Sequence, residues 1–118
     1  MLEDTGRPNE AETWYRKAAD AGNTGAMHGL GLLLANTGRT NEAETWYRKA
    51  TDAGNTDAMN NLGLLLENTG RTNEAETWYR KATDAGNTDA MNNLGLLLAN
   101  TGRAAEAQLW YQRAANTP

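Results

Sequence analysis

Two asparagine pairs, Asn60-Asn61 and Asn92-Asn93, are the residues of this sequence best suited to molecular recognition. A primary amide donates a hydrogen bond through its nitrogen and accepts one through its oxygen. It therefore matches the N–H and C=O groups of a peptide backbone, whatever side chains that peptide carries. In an earlier segment of similar sequence, His28 stands in place of the first asparagine. These residue types favour reversible binding over the making or breaking of covalent bonds.

The rest of the sequence offers little for catalysis or metal binding. It contains no Ser and no Cys to act as a nucleophile, and His28 is its only histidine, so a catalytic triad or a zinc site would lack most of its members. We interpret His28 as part of a polar helix face. We expect the glutamates to form helix-stabilising pairs with the arginines and lysines that follow them, and these glutamates are Glu42, Glu44, Glu74 and Glu76. The sequence therefore predicts no enzymatic activity and no cofactor.

The tryptophan–tyrosine pairs, such as Trp46-Tyr47 and Trp78-Tyr79, allow two interpretations. Adjacent residues of a helix point about 100° apart, so one ring can pack inside a helical hairpin and the other against the next hairpin. The alternative is a stacking platform for a ligand. We favour core packing, because aromatic residues at helical spacing are usually buried.

The composition favours an all-α fold. Ser, Val, Ile, Phe and Cys are absent, which removes most strong strand formers, whereas Ala, Leu, Met, Glu, Lys and Arg favour helix. The net charge of −4 argues against duplex nucleic acid or an anionic membrane as the partner. No apolar run approaches the roughly 20 residues of a membrane span, and the start of the sequence shows no secretion signal. We therefore expect a cytoplasmic protein.

Tryptophan recurs at a constant interval along the chain, at Trp14, Trp46, Trp78 and Trp110. This interval defines three full copies of one segment and a partial fourth copy, which span 8–39, 40–71, 72–103 and 104–118. The second and third copies differ only where Glu67 is replaced by Ala99. Such regular repetition is the signature of stacked structural repeats and is not typical of a globular enzyme.

Each copy contains two helical segments separated by glycine. Apolar residues recur every three or four positions in both segments, and Gly86 and Gly102 follow two of them as left-handed helix ends. We expect Asn73, with Glu76 after it, to cap the start of one segment. The predicted helices span 9–21, 24–36, 41–53, 56–68, 73–85, 88–100 and 105–116.

Glycine also recurs in the middle of a helical segment, at Gly31, Gly63 and Gly95. A glycine inside a helix costs about 1 kcal/mol relative to alanine, so its recurrence indicates the close approach of a neighbouring helix. We expect small residues of that helix to face the glycines, namely Ala75, Ala82 and Ala107.

These motifs together resemble the tetratricopeptide repeat. The resemblance rests on recurring positions, which are Asn61-Leu62-Gly63, Gly70, Ala75 and Ala82. The segments Trp-Tyr-Arg-Lys-Ala and Asp-Ala-Gly-Asn-Thr-Asp-Ala-Met-Asn-Asn-Leu-Gly are similar to the related Sel-one-like repeats. The resemblance covers essentially the whole chain. It implies an all-α fold, a right-handed α-α superhelix (solenoid) of seven antiparallel helices, and a single repeat domain over residues 1–118.

The resemblance implies a non-enzymatic scaffold for protein–protein interaction. In that family the first helix of each unit lines a concave face, where an asparagine commonly hydrogen-bonds the backbone of an extended peptide. Carried over to this chain, the peptide-binding residues are Asn60, Asn61, Leu64, Asn68, Asn92, Asn93, Leu96, Asn100 and His28. Acidic neighbours would favour a basic or neutral peptide, and they are Asp57, Asp89 and Glu67.

The two ends of the sequence indicate a second hypothesis, which is self-association. Solenoids normally finish in polar capping helices, but Leu109 stands in the last segment where earlier copies have threonine. We expect a homodimer or a higher homo-oligomer through surfaces that contain Met1, Leu2, Leu109 and Trp110. A consensus-like design or a segment of a longer array would present the same ends. The alternative function is thus a structural repeat module without an external ligand.

Overall fold

The computed structural model describes residues 8–117 of the chain. This part contains seven α-helices and no β-strand, so the predicted all-α fold is confirmed. In chain order the helices are α1 (Pro8–Asp20), α2 (Thr24–Asn36), α3 (Thr40–Asp52), α4 (Thr56–Asn68), α5 (Thr72–Asp84), α6 (Thr88–Asn100) and α7 (Ala104–Ala115). Met1 and Leu2, two of the residues expected to mediate self-association, lie outside the described residues.

The predicted helix bounds are confirmed to within one residue. The helices α2, α4 and α6 begin and end where the sequence pattern places them. The other four helices begin and end one residue earlier, since Thr40 and Thr72 are already helical. The spacing of apolar residues therefore defines these helices well, and the differences are confined to their ends.

Asparagine caps three helices, but at other positions than the one predicted. The Oδ1 atoms of Asn23, Asn55 and Asn87 accept hydrogen bonds from backbone N–H groups at the starts of α2, α4 and α6, at 2.8, 2.8 and 2.9 Å. The prediction that Asn73 caps α5 is wrong, because Arg71 occupies the cap position of that helix and makes no side-chain cap hydrogen bond.

A glycine follows each of the first six helices and ends it. These glycines have φ between 80° and 92°, a region that residues with a Cβ atom avoid, and they are Gly22, Gly38, Gly54, Gly70, Gly86 and Gly102. After α5, for example, the N–H of Asn87 donates to the carbonyl of Ala82 at 3.0 Å, which is the pattern of a Schellman helix end. Each of these short linkers therefore ends one helix with a glycine. The linkers that contain Asn23, Asn55 and Asn87 also cap the helix that follows.

The helices group into two compact units. Unit 1 extends to Ala58 and contains α1, α2 and α3, whereas unit 2 begins at Met59 and contains most of α4 with α5, α6 and α7. In unit 1, α2 packs against both α1 and α3, and in unit 2, α6 packs against both α5 and α7. Burial of each leucine in these cores contributes about 1.5–3 kcal/mol. The largest fully buried apolar side chains are Leu30, Leu34, Leu62, Leu66, Tyr79, Leu94, Leu97 and Leu98.

A tyrosine ring explains the recurrent glycine in the middle of a helix. A Cβ atom on Gly63 would lie 2.5 Å from Cε1 of Tyr79, which is closer than real carbon atoms approach. The predicted close approach is therefore confirmed, but the prediction of alanine partners is wrong, because the flat face of an aromatic ring takes the space. The three glycine–tyrosine pairs are Gly31–Tyr47, Gly63–Tyr79 and Gly95–Tyr111.

Candidate functional site

One side of each of the helices α2, α4 and α6 carries most of the residues that sequence analysis assigned to peptide binding, whereas Asn61 and Asn93 lie one position further along their helices. Positions four apart lie on the same face of a helix, so the residues of such a series share one side. We call this set the recognition stripe. Its members are His28, Leu32 and Asn36 on α2, Asn60, Leu64 and Asn68 on α4, and Asn92, Leu96 and Asn100 on α6.

The leucines of the recognition stripe are exposed although other leucines of the same helices are fully buried. The exposed fractions are 39% for Leu32, 37% for Leu64 and 53% for Leu96, against 0% for Leu30 and Leu94. Exposed apolar side chains that recur at one position mark a surface suited to binding. The polar members Asn68, Asn92 and Asn100 are exposed beside them.

The asparagine pairs of unit 2 bond to each other. Nδ2 of Asn93 donates to Oδ1 of Asn60 at 2.9 Å, and Asn60 is only 8% exposed. The bond joins α6 to α4. Asn61 and Asn93 are half-buried, whereas Asn92 is exposed. The structure thus places Asn60 between two helices with its amide already engaged, and it leaves Asn92 as the amide most accessible to a ligand.

His28 takes the place of that asparagine in the first copy. Its ring is half-buried, and its centroid lies 6.2 Å from that of Tyr47 with the ring planes at 41°. Burial lowers the pKa of His28 below its usual value, and the carboxylate of Asp57 only partly opposes this effect. The neutral imidazole offers one donor and one acceptor, as an asparagine amide does.

Glu67, the residue that distinguishes the second copy from the third, has a structural partner. The hydroxyl of Tyr79 donates to Oε1 of Glu67 at 2.8 Å. Burial of the ring, followed by this carboxylate, raises the pKa of Tyr79 far above its usual value. The side chain of Glu67 is therefore held by a buried tyrosine, and the exposed acidic groups near the recognition stripe are Asp57 and Asp89.

The tyrosine and the tryptophan of each aromatic pair have different roles. Tyr47 and Tyr79 are core residues, at 2% and 0% exposure, and burial raises the pKa of Tyr47 to about 12. The Nζ atoms of Lys49 and Lys81 lie 4.6 and 4.5 Å from the ring centroids of the neighbouring tryptophans. The sequence predicts these lysines as partners of glutamates, but they cover tryptophan rings instead. Core packing is thus confirmed for the interior tyrosines, whereas each tryptophan ring also carries a cation.

A chain of ion pairs crosses unit 2. Arg103 contacts Glu76 at 2.7 Å, Glu76 contacts Arg80 at 2.8 Å, and Arg80 contacts Glu106 at 2.9 Å. The hydrogen bond from Arg103, and then the one from Arg80, holds the pKa of Glu76 below its usual value. The predicted pairing within one helix is confirmed for Glu76, and the longer links between helices could not be read from spacing alone. Unit 1 has the same chain through Arg39, Glu12, Arg16 and Glu42.

The predicted self-association residues of α7 differ in their exposure. Leu109 is 64% exposed, whereas Trp110 is half-buried and has the guanidinium of Arg113 at 5.1 Å from its ring centroid. Sequence reasoning missed a groove of about 350 Å³ between α1 and α2, and this groove includes Leu32 and Asn36 of the recognition stripe. The only signal for it was the replacement of an asparagine by Gly29.

Within 8–117, His, Asp and Glu side chains do not gather in groups of three that could hold a metal ion. None of the helices in this part has both the length and the apolar character that crossing a membrane requires.

Comparisons with known proteins identify the family and the fold. Models of the tetratricopeptide repeat match residues 2–58 and 29–90, and a further one matches residues 88–117. No curated protein matches the sequence. A Sel1 repeat protein from Oxalobacter formigenes is similar to the chain, with a TM-score of 0.77, 32% identity and coverage of 98% of this chain and 52% of that chain. This chain thus spans about half the length of that relative.

Two other solved structures share the fold at lower identity. MamA is similar with a TM-score of 0.81 and 23% identity over 98% of this chain and 71% of that chain. YrrB, described as a tetratricopeptide repeat protein with an unusual peptide-binding site, is similar with a TM-score of 0.73 and 24% identity over 98% of this chain and 63% of that chain. The predicted class, an all-α helical-repeat solenoid, is therefore confirmed. Since the family models match most of the chain, this protein belongs to the tetratricopeptide repeat family.

Proposed function

We propose that the protein is a non-enzymatic scaffold that binds an extended peptide or a partner protein through the recognition stripe. The fold is typical of protein–protein interaction scaffolds. The observation that carries the proposal is the exposure of one leucine at the same position in three copies, namely Leu32, Leu64 and Leu96. A leucine that stays partly exposed at the same position in each copy offers apolar surface that another molecule can cover.

The chemistry around Leu96 indicates the class of ligand. The exposed amides of Asn92 and Asn100 lie one helical turn to either side of it, where they can pair with backbone N–H and C=O groups. Asp89 is exposed near the start of the same helix. The proposed ligand is therefore an extended peptide with apolar side chains and a neutral or positive charge. The peptide-binding site named for YrrB, a protein of the same fold, supports this class of ligand.

A peptide array probed with the intact chain tests the proposal. The informative variant carries both Leu64→Gln and Leu96→Gln, which removes apolar surface while keeping side-chain size and helix propensity. The matched control is Leu109→Gln, which makes the same change at an exposed leucine outside the recognition stripe. We expect the double variant to lose the captured peptides and the control to keep them. Capture that survives in the double variant contradicts the proposal.

Leucines are better probes here than the asparagines. Replacing Asn93 would leave the buried amide oxygen of Asn60 without its donor, so a loss of binding would be mixed with a loss of stability. The exposed leucines have no such structural partner to lose.

Self-association through α7 is the second candidate function, and the 64% exposure of Leu109 favours it. The test is light scattering of the wild type beside Leu109→Thr, since threonine is the residue at this position in the interior copies. We expect the wild type to form dimers or larger assemblies at high concentration and the variant to remain smaller. A wild type that stays strictly monomeric at high concentration excludes this candidate.

A further inference from the structure

We propose that His28 is a specificity-determining residue that makes peptide binding at the first copy of the recognition stripe depend on pH. This inference rests on the proposed function, since it assigns a role to one position of the same surface. The second and third copies carry Asn60 and Asn92 at that position. The first copy therefore presents a titratable group where the later copies present an amide.

An imidazole and an amide respond differently to acid. An asparagine amide keeps its donor groups and its acceptor oxygen throughout the physiological pH range. A neutral imidazole also offers one donor and one acceptor, but the protonated ring has two donors, no acceptor and a positive charge. A peptide N–H that donates to the neutral ring therefore loses its acceptor when the ring binds a proton.

Tyr47 of α3 and Asp57 at the start of α4 are neighbours of the imidazole of His28, and all three residues belong to unit 1. The imidazole is half-buried, and its centroid lies 6.2 Å from that of the Tyr47 ring. Tyr47 itself is only 2% exposed, so it holds one side of the imidazole against the core. The exposed part of the imidazole lies on the recognition stripe, where a bound peptide would contact it.

The groups around His28 leave its own protonation as the main change that mild acid brings. Helix α2 carries no other acidic or basic residue. The phenol of Tyr47 stays neutral, because burial raises its pKa to about 12. On α1, Glu12 and Arg16 form an ion pair with each other. In the part of the chain that the structure describes, the charge that acts on the imidazole is the Asp57 carboxylate.

The direction of the pH effect follows from burial and from linkage. Burial lowers the pKa of His28 more than Asp57 raises it, so the ring is neutral at pH 7 and binds a proton only below its usual value of 6.5. A peptide that donates an N–H to the neutral ring lowers this pKa further in the complex. Its affinity therefore falls as the pH falls through the pKa of the free protein. The new positive charge also opposes a basic peptide.

Proton NMR can follow this imidazole directly, because His28 is the only histidine in the sequence. The probe is a captured array peptide that contains no His, Asp or Glu. The pKa of His28 is measured in the intact chain, first without the peptide and then at saturation. We expect the peptide to lower this pKa by about half a unit or more, which corresponds to an affinity about threefold or more weaker for the protonated form.

Two variants separate a contact with the peptide from a structural role. His28→Asn installs the residue of the later copies, and it should match the wild-type affinity at pH 7 within about twofold, since the amide also offers a donor and an acceptor. From about pH 7 to about pH 4.5 it should lose about threefold less affinity than the wild type, because the amide keeps its acceptor. His28→Ala should already bind about threefold or more weakly at pH 7. Circular dichroism over the same range checks that the helices stay formed.

Two results would overturn this inference and leave the proposed function intact. The first is a bound peptide that leaves the pKa of His28 unchanged or raises it, because the peptide would then not use the neutral ring as an acceptor. The second is a decline of affinity with pH that is as steep in His28→Asn as in the wild type, because other groups would then cause it. Capture of no peptide by the intact chain would instead exclude the proposed function, and this inference with it.

Discussion

Gly63 shows, at the scale of single residues, how one missing side chain sets the distance between helices. The glycine costs its helix about 1 kcal/mol relative to alanine, but it lets the ring of Tyr79 become fully buried. Burial of an aromatic ring contributes more than the glycine costs. The sequence indicated a close contact at this position. It could not indicate a tyrosine, because the two residues belong to different helical segments and meet only after packing.

The glycine–tyrosine contact leads to a stability prediction. Gly63→Ala should lower the free energy of unfolding by about 1–3 kcal/mol, because the new Cβ atom would overlap the ring of Tyr79. The control is Gly25→Ala, where the added Cβ atom would meet only Oδ1 of Asn23 at 3.4 Å. Urea unfolding should show the control to be as stable as the wild type or slightly more stable. Equal effects of both changes would contradict the role assigned to Tyr79.

The carboxylate of Glu76 leads to a prediction about acid stability. Its pKa is lowered in the folded protein, first by Arg103, so its ion pairs stabilise the fold fully above the usual glutamate value of 4.5. This contribution disappears as the pH falls through the lower folded pKa, where Glu76 binds a proton. In Arg103→Gln the folded pKa lies closer to 4.5, so stability should depend less on pH in this range. Unfolding free energies measured from about pH 6 to about pH 3 should show a shallower decline for the variant, and identical declines would exclude the pairing.

At the scale of elements, the linkers show which part of a helix can be read from sequence. The apolar spacing predicts all seven helices to within one residue, because the pattern spans three turns of each. The cap is harder to predict, because two asparagines precede helical runs and only backbone conformation distinguishes them. Asn87 is extended, with φ −75° and ψ 111°, and its side chain reaches the backbone of Ala90, whereas Asn73 is already inside α5.

The caps lead to a comparison of two asparagines. Asn87→Ala should lower the free energy of unfolding by about 0.5–2 kcal/mol, because the N–H of Ala90 loses its acceptor. Asn73→Ala should cost nothing or stabilise slightly, since alanine is the better helix former and no cap is lost. Thermal unfolding followed by circular dichroism measures both. A larger loss in Asn73→Ala than in Asn87→Ala would mean that the cap is wrongly placed.

At the scale of the whole molecule, repetition made the family predictable and hid the contacts between copies. The constant interval between tryptophans indicated a helical-repeat protein without any structural information. The bonds from Asn93 to Asn60 and from Tyr79 to Glu67 were not predictable, because each joins residues from separate helical segments. Sequence alone therefore assigned Asn60 to ligand binding on the same grounds as Asn92, although only Asn92 is exposed.

The sequence could predict that the residues of the recognition stripe share one side of each helix, but it could not predict which of them are exposed. Residues four apart had to share one side of α2, α4 and α6, but exposure depends on what each neighbouring helix covers. Leu64 and Leu66 illustrate the difference, since they are two positions apart and are 37% and 0% exposed. Near-identical copies then place the same exposed group on each helix, which suits a ligand whose own structure repeats, such as an extended backbone.

Calorimetric titration of an array-selected peptide against a series of leucine variants tests the central claim most directly. The series replaces Leu64 and Leu96, both in unit 2, by glutamine singly and together, with Leu109→Gln as the control. Each replacement should weaken binding about fivefold, which corresponds to the loss of about 1 kcal/mol of apolar burial. The double variant should bind about 25-fold more weakly than the wild type, and the control should match the wild type. A double variant with wild-type affinity, or a control that loses binding equally, would contradict the recognition stripe of unit 2 as the binding site.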